Sequence, residues 1–294
     1  MTPPRIIQVT DLHLSREFPL FLMNWAVIAE HIVALRPDLV LATGDLTLAD
    51  PDRDDDLVFA REKLDALGLP YRVVPGNYDT GDAPHKGLVG IGSNYRTISP
   101  ERRARFRKIF GDDWWSERMG DWLLLGINAQ LFGSSLGEAE DQRRFVKETL
   151  DSQRGGALLL VSHKPLFSRK HGADEPGWSI PKQDSEWLKE QTSRFRVRVC
   201  VSGHLHRDKR YHQSGIDFVW CPSTAYYSSH PRIEKRGGTL QVGALELELG
   251  SDELTIRNVH DDRLIGHDVR SWFNPGADAL NRIISGPSPF TTSS

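Results

Sequence analysis

The chain has 294 residues, a formal net charge of −3 and a pI near 6.4. That length suits one large α/β domain or two smaller ones, and the near-neutral charge excludes a global pull toward nucleic acid or anionic membrane. No apolar run approaches bilayer length, and the opening MTPPRIIQVTDLHL has neither a charged leader with an apolar stretch nor a small-residue cleavage site, so a cytoplasmic location is expected.

RIIQVT (5–10), DLVLAT (38–43), YRVVP (71–75), ALLLVS (157–162) and RVRVCVS (196–202) read as strands whose apolar runs suit burial on both faces. Helices are predicted over 20–36, 54–67, 100–110, 138–152 and 183–193. In the first, Leu20, Met23, Val27, Ile28 and Leu35 recur at helical spacing. Pro37 then stops the helix, since it lacks an amide hydrogen and disfavours helical geometry before it. This alternation predicts an α/β sheet with helices outside it. Segments 114–127, 207–221 and 239–259 carry hairpin signals and predict a second, more antiparallel sheet. Residues 80–98 read as a long loop, and 271–294 as a C-terminal tail. In RRARFRK (102–108) the cations are expected on a solvated helix face, with Phe106, Ile109 and Phe110 inward. Cys200 and Cys221, each in an apolar run, are expected to be buried free thiols, which fits a reducing compartment.

The predicted strands end in polar residues of one chemical kind. Asp11 and His13 follow the first, Gly44 and Asp45 the second, Gly76 and Asn77 the third, His163 the fourth, and Gly203, His204 and His206 the fifth. In an α/β sheet the crevice beyond the carboxyl ends of the strands is where sites are built. A mixed imidazole, carboxylate and amide set suits divalent transition metals. Residues i and i+2 on extended chain point the same way, so Asp11 and His13 reach one centre. His204 and His206, in a Gly-led turn, are able to diverge to two. Paired ions about 3.5–4 Å apart need a bridging carboxylate, and Asp45 is the candidate, with the small Gly44 allowing close approach.

The motifs D-x-H (Asp11, His13), G-D (Asp45), G-N-x-D (Asn77, Asp79), a lone His163 and G-H-x-H (His204, His206) stand in the order found in calcineurin-like metallophosphoesterases. The chain resembles that family over roughly residues 5 to 212, and looks most similar to its small bacterial phosphodiesterase members. The resemblance implies a four-layer αββα sandwich of two packed mixed β-sheets flanked by helices, with a catalytic domain over 1–270. It implies two divalent or mixed-valence transition-metal ions (Mn2+, Fe2+/Fe3+ or Zn2+). Asp11, His13 and His206 would hold the first and Asn77, His163 and His204 the second, with Asp45 joining them.

The expected reaction is hydrolysis of a small phosphate ester by a metal-bound hydroxide, with phosphodiesters somewhat favoured. Two dications facing two aspartates and a hydroxide leave surplus positive charge, which favours the ester and its transition state. Phosphomonoester hydrolysis, by a nucleotide or protein phosphatase, is the alternative; a non-catalytic interaction module on the same fold is another. No membrane partner is expected, a nucleic acid polymer is disfavoured, and a homo-oligomer is left open.

Catalytic roles are expected for Asn77, Tyr78 and Asp79. Most of the family carries histidine where this chain has Tyr78, placed to protonate the leaving group with support from the next acid, here Asp79. A phenol of ordinary pKa near 10 is the weaker acid, so slow turnover of alkyl esters and better turnover of aryl esters is expected. If Tyr78 only packs, His85 or His171 would donate the proton. Loops 80–98 and 165–181, including Trp178, are expected to shape the pocket. Trp114 and Trp115 read as core or interface, and Trp272 and Phe273 as anchors for the tail or a partner. His31, His212, His230, His260 and His267 carry no motif.

Overall fold

Period-two alternation within continuous apolar runs lets one strand face two different layers, and the sandwich is built from that property. The computed structural model describes residues 2–48, 52–84, 97–153, 155–169, 177–229, 234–251 and 253–270. In the first sheet β1 (Arg5–Val9), β2 (Leu39–Ala42) and β3 (Tyr71–Val73) run parallel, with Ile6 opposite Leu39 and Val40 opposite Tyr71. The second contains β4 (Trp115–Met119), β5 (Trp122–Gly126), β6 (Ala157–Val161), β7 (Val197–Ser202), β8 (Lys209–Gln213) and β9 (Ile216–Trp220) in the order β4-β5-β6-β7-β9-β8. Its middle, β5 through β9, is parallel; β4 and β8 close its edges antiparallel. A hairpin of β10 (Ala244–Leu249) and β11 (Leu254–Val259) extends the first sheet beside β1.

Ile6, Leu39 and Leu41 point between the sheets to meet Leu124, Leu159, Val199 and Val201. Their neighbours Ile7, Val40 and Ala42 point outward, against α1 (Leu22–Leu35), α2 (Asp54–Asp65) and α4 (Pro100–Phe110). On the opposite flank Leu123, Leu125, Leu158 and Leu160 meet α5 (Glu138–Asp151) and α6 (Lys182–Gln191). The result is the expected sandwich, two mixed sheets between layers of helix.

Several expectations change in detail. Segments 114–127 and 207–221 join the second sheet, but 239–259 pairs with β1 in the first, so the hairpins form no sheet of their own. They sit at edges, where antiparallel strands complete sheets whose centres are parallel. The five predicted strands also divide, three to one sheet and two to the other. The inward face of α1 is Asn24, Trp25, Val27, Ile28 and Ile32; Leu20 and Met23 are 42% and 67% exposed. This helix is apolar around most of its circumference, so hydrophobicity alone does not select its face. It ends at Leu35, where Arg36 turns left-handed (φ 48°) before Pro37.

Asn77–Thr80 forms a one-turn helix, α3, at the start of the expected loop. Phe106 is buried while Arg102, Arg103, Arg105 and Arg107 pair with Asp52, Asp113, Asp52 and Asp112. Trp115 donates to the Val73 carbonyl and Trp114 stacks beneath Arg103. Both cysteines are buried and free. Among the described residues no helix is long and apolar enough to cross a membrane. His85, His171, His230, Trp272, Phe273 and the proposed tail lie outside the described residues.

Trp122 ties the layers together, since its buried ring packs between the sheets and its Nε1 donates to the Gly250 carbonyl at 2.7 Å. Trp122→Ala is expected to lower unfolding free energy by about 3–5 kcal/mol, mostly from the cavity. Trp122→Phe, which keeps most of the volume, is expected to cost about 1–2 kcal/mol. Urea unfolding of both variants checks this; equal losses would mean the hydrogen bond, not packing, dominates.

Candidate metal centre

The polar strand ends meet because their backbones leave the sheets in a left-handed conformation. Asp11, His13, Asp45, His204 and His206 have φ of 51°, 45°, 49°, 68° and 52°. Aspartate and histidine tolerate this region better than most residues, yet each still costs about 1–3 kcal/mol and persists only where the surroundings impose it. Here they do: the Asp11 and His13 amides donate to the Gly44 and Asp45 carbonyls at 2.9 and 3.0 Å, and the Gly203 amide to the His163 carbonyl at 2.9 Å.

Two clusters result. Asp11, His13 and His206 form one; Asp45, His163 and His204 form the other, with the ligand-type atoms of each cluster within 4.8 Å of one another. Asn77 joins the second, its Oδ1 standing 3.2 Å from His163 Nε2. His204 and His206, two residues apart, go to different clusters. All seven residues come together at the carboxyl rim of the two sheets.

Each imidazole is held by a carbonyl on its far nitrogen, an arrangement that fixes ring orientation in metal sites. His13, His163 and His206 use Nδ1, toward Leu48, Thr43 and Tyr226 at 3.3, 2.8 and 2.8 Å. His204 is reversed: its Nε2 meets the Gly177 carbonyl at 2.7 Å, leaving Nδ1 to face His163 at 3.1 Å. Asp11 Oδ2 accepts from the Thr10 hydroxyl and the His204 amide. Its Oδ1 is buried without a hydrogen-bond partner; His206 Nε2 stands 3.1 Å away, not aligned as a hydrogen bond. A buried carboxylate oxygen left orphaned beside converging imidazoles fits a cation between them.

Electrostatics agree. Burial opposes charge on Asp11, but His206, then His163 and His13, hold it well below the usual carboxylate range; His163 and His13 do the same for Asp45. Against burial, Asp45 and then Asp11 push His163 up to about 9, and His206 is raised by Asp11. His13 and His204 fall to about 4 and about 3, through burial and then neighbouring cations. Each cluster thus sets a carboxylate against an imidazole whose pKa it raises, a favourable charge pairing that a cation held by the same residues would take over.

Both glycines give room to the groups around them. A Cβ on Gly44 would lie 2.6 Å from the His163 ring, so its space admits an imidazole. Gly76 has φ −100°, open to any residue; what it provides is room, because a Cβ there would sit 2.2 Å from Asp45 Oδ1.

Asp79 is engaged by backbone amides. Its Oδ1 accepts the Leu46 and Thr47 amides and its Oδ2 the Gly76 amide, so it clips the loop after β2 to the loop after β3. Burial and then Asp45 push it up to about 7, against those amides. Tyr78 donates its amide to Asp45 Oδ1 and presents its ring edge to His13, centroids 5.2 Å apart. Its hydroxyl makes no hydrogen bond among the described residues. Burial, then Asp45 and Asp11, push its pKa further above 10. Trp178 lies 6.2 Å from the His204 ring, with Arg236 over its face at 4.2 Å.

Tyr226 is a site residue that motif reading missed; it lies against His13 and His206 at 4.7 and 4.3 Å. It lies six residues beyond the end of β9, farther from its strand than any of the ligand-type residues. Lys164, paired with Asp82 in the interior beside His163, went unremarked for want of a motif.

The calcineurin-like phosphoesterase family profile matches residues 4–208. A probable cyclic nucleotide phosphodiesterase of Psychrobacter arcticus is 24% identical over 235 residues, covering 75% of this chain and 80% of that one. The serine/threonine-protein phosphatase CPPED1 of Danio rerio is 26% identical over 211 residues, 67% of this chain and 63% of that one. In fold, a dimetal phosphatase from Danio rerio superposes with a TM-score of 0.58 at 14% identity, over 88% of this chain and 96% of that one. A match across well over half of the chain, on two packed mixed sheets whose rim carries paired metal-type clusters, makes this protein a member of the calcineurin-like phosphoesterases.

Proposed function

We propose that the protein hydrolyses phosphate esters at a dinuclear metal centre, with small phosphodiesters preferred. The observation that carries this reading is the buried Asp11 Oδ1, which accepts no hydrogen bond, among imidazoles that are all oriented by carbonyls. Asp11, His13 and His206 would hold one ion, Asn77, His163 and His204 the other, and Asp45 would serve both. When bound, such a pair activates water near neutral pH and offsets charge that develops on the phosphoryl group. Manganese, iron and zinc all suit this donor set.

The chain's own residues set the rest. Asp79 fixes the two loops that carry Asp45 and Asn77 relative to each other. Tyr78, a neutral phenol whose pKa burial pushes further up, stands beside His13 with its hydroxyl free to donate to an ester oxygen. A phenol is a weaker acid than imidazolium, so turnover suffers most on alkyl esters, whose leaving group needs a proton, and least on aryl esters, whose leaving group departs with little help. The diester preference draws on the relative named as a cyclic nucleotide phosphodiesterase, 80% of whose length is covered. The relative named as a protein phosphatase supports monoester hydrolysis as the second reading. Manganese-loaded protein is expected to turn over bis(p-nitrophenyl) phosphate with kcat/KM at least about tenfold above p-nitrophenyl phosphate, each tenfold being about 1.4 kcal/mol of transition-state preference. The reverse ratio favours the monoesterase, and no turnover with no metal taken up favours the interaction module.

Asp45→Asn keeps the Tyr78 amide contact but removes the charge, and is expected to lower kcat at least about a thousandfold, at the scale of lost transition-state charge stabilisation, with the circular dichroism spectrum unchanged. Full activity in that variant would place the reaction elsewhere. Tyr78→His is expected to raise turnover of an alkyl diester at least about tenfold and of an aryl diester much less; Tyr78→Phe should lower both. Absence of any gain on the alkyl ester would contradict a donor role at position 78.

A further inference from the structure

The two clusters are supported unequally. Tyr226 lies across both histidines of the Asp11 cluster, 4.3 Å from His206 and 4.7 Å from His13 between centroids, with planes tilted by 38° and 32°. Phe21, 2% exposed, backs the Tyr226 ring at 5.1 Å. The Tyr226 carbonyl also accepts from His206 Nδ1 at 2.8 Å. His13 has the weakest anchor of the four imidazoles, 3.3 Å to the Leu48 carbonyl against 2.8 Å or less for the others. With so long a hydrogen bond, ring contacts must define its tilt. The nearest of those contacts is Tyr226 at 4.7 Å; His206 and Tyr78 follow, each at 5.2 Å.

Tyr226 is itself pinned on both sides. Asn24, buried on α1, donates through Nδ2 to the Ala225 and Ile265 carbonyls at 3.1 and 2.9 Å and accepts the Ile265 amide at 2.8 Å. The Tyr227 amide donates to the His267 carbonyl and the Val269 amide to the Tyr227 carbonyl, both at 3.0 Å. On the other cluster the indole of Trp178 stands farther off, 6.2 Å from His204.

We propose that Tyr226 is a positioning residue of the Asp11–His13–His206 cluster, its ring setting the tilt of both imidazoles so that metal binding there, and not at Asp45–His163–His204, depends on it. The inference rests on reading the clusters as metal sites. Groups that orient metal ligands from behind are typically worth about 10- to 100-fold in affinity.

The test titrates metal-free wild type, Tyr226→Phe and Tyr226→Leu with Co2+, following visible absorption and heat. Wild type and Tyr226→Phe are expected to take two ions with similar affinities. Tyr226→Leu should keep one ion at wild-type affinity and bind the other about 10- to 100-fold more weakly. Should Tyr226→Leu not fold, Phe21→Leu, which removes only the backing ring, should weaken the same single position severalfold. Two undiminished sites in the variant used, or equal weakening of both, overturns the positioning role. A wild type that takes no ion overturns the metal-site reading, and this inference with it.

Discussion

The loop that leaves β1 belongs to one sheet and is hydrogen-bonded to the other. Beyond β9, the Thr224 and Ala225 amides donate to the Thr10 and Asp11 carbonyls at 3.0 and 3.2 Å, and the His204 amide donates to Asp11 Oδ2 at 2.9 Å. Within the first sheet the same loop is held by Gly44 and Asp45. With both carbonyl and side chain of Asp11 committed, the left-handed turns at Asp11 and His13 have no relaxed alternative, and the remaining ligand-type residues are placed relative to that loop. Packing of the two sheets through Leu41, Leu124, Leu159 and Val201 brings the loops within hydrogen-bonding reach; the bonds then set their geometry.

Placing two carboxylates and four imidazoles in a water-poor rim is unfavourable unless charges pair. The fold meets this by opposing Asp11 to His206 and Asp45 to His163, each carboxylate also accepting backbone hydrogen bonds. Strain and electrostatics point the same way. Both converge on the same few residues, and functional sites are where folded chains tolerate unusual backbone angles.

Most of the site was legible because its signals are local. Asp11 with His13 and His204 with His206 are short-range pairs at the ends of apolar runs, and in an α/β sheet such ends share one rim; the left-handed turns, not extended chain, then aim the side chains. The sandwich was legible through family resemblance, and the strands through their β-branched and leucine-rich runs. What stayed hidden depends on contacts distant in sequence. The face of α1 is set by Asn24 reaching Ala225 and Ile265, which no helical periodicity encodes. The hairpin 244–259 pairs with β1, more than two hundred residues away, through an edge that a hairpin signal does not name. The motif marks Asp79 but not its partners, amides from both adjoining loops. Tyr226 carries no motif, and its ring lies tilted against two histidines from distant segments.

Anomalous X-ray scattering from manganese- or zinc-loaded crystals tests the central claim most directly. Two peaks about 3.5–4 Å apart are expected. One should lie within about 2.0–2.2 Å of Asp11, His13 and His206 donor atoms and the other equally near Asn77, His163 and His204, with Asp45 reaching both. A single peak away from these residues, or ions bound on separate surfaces, would contradict the account.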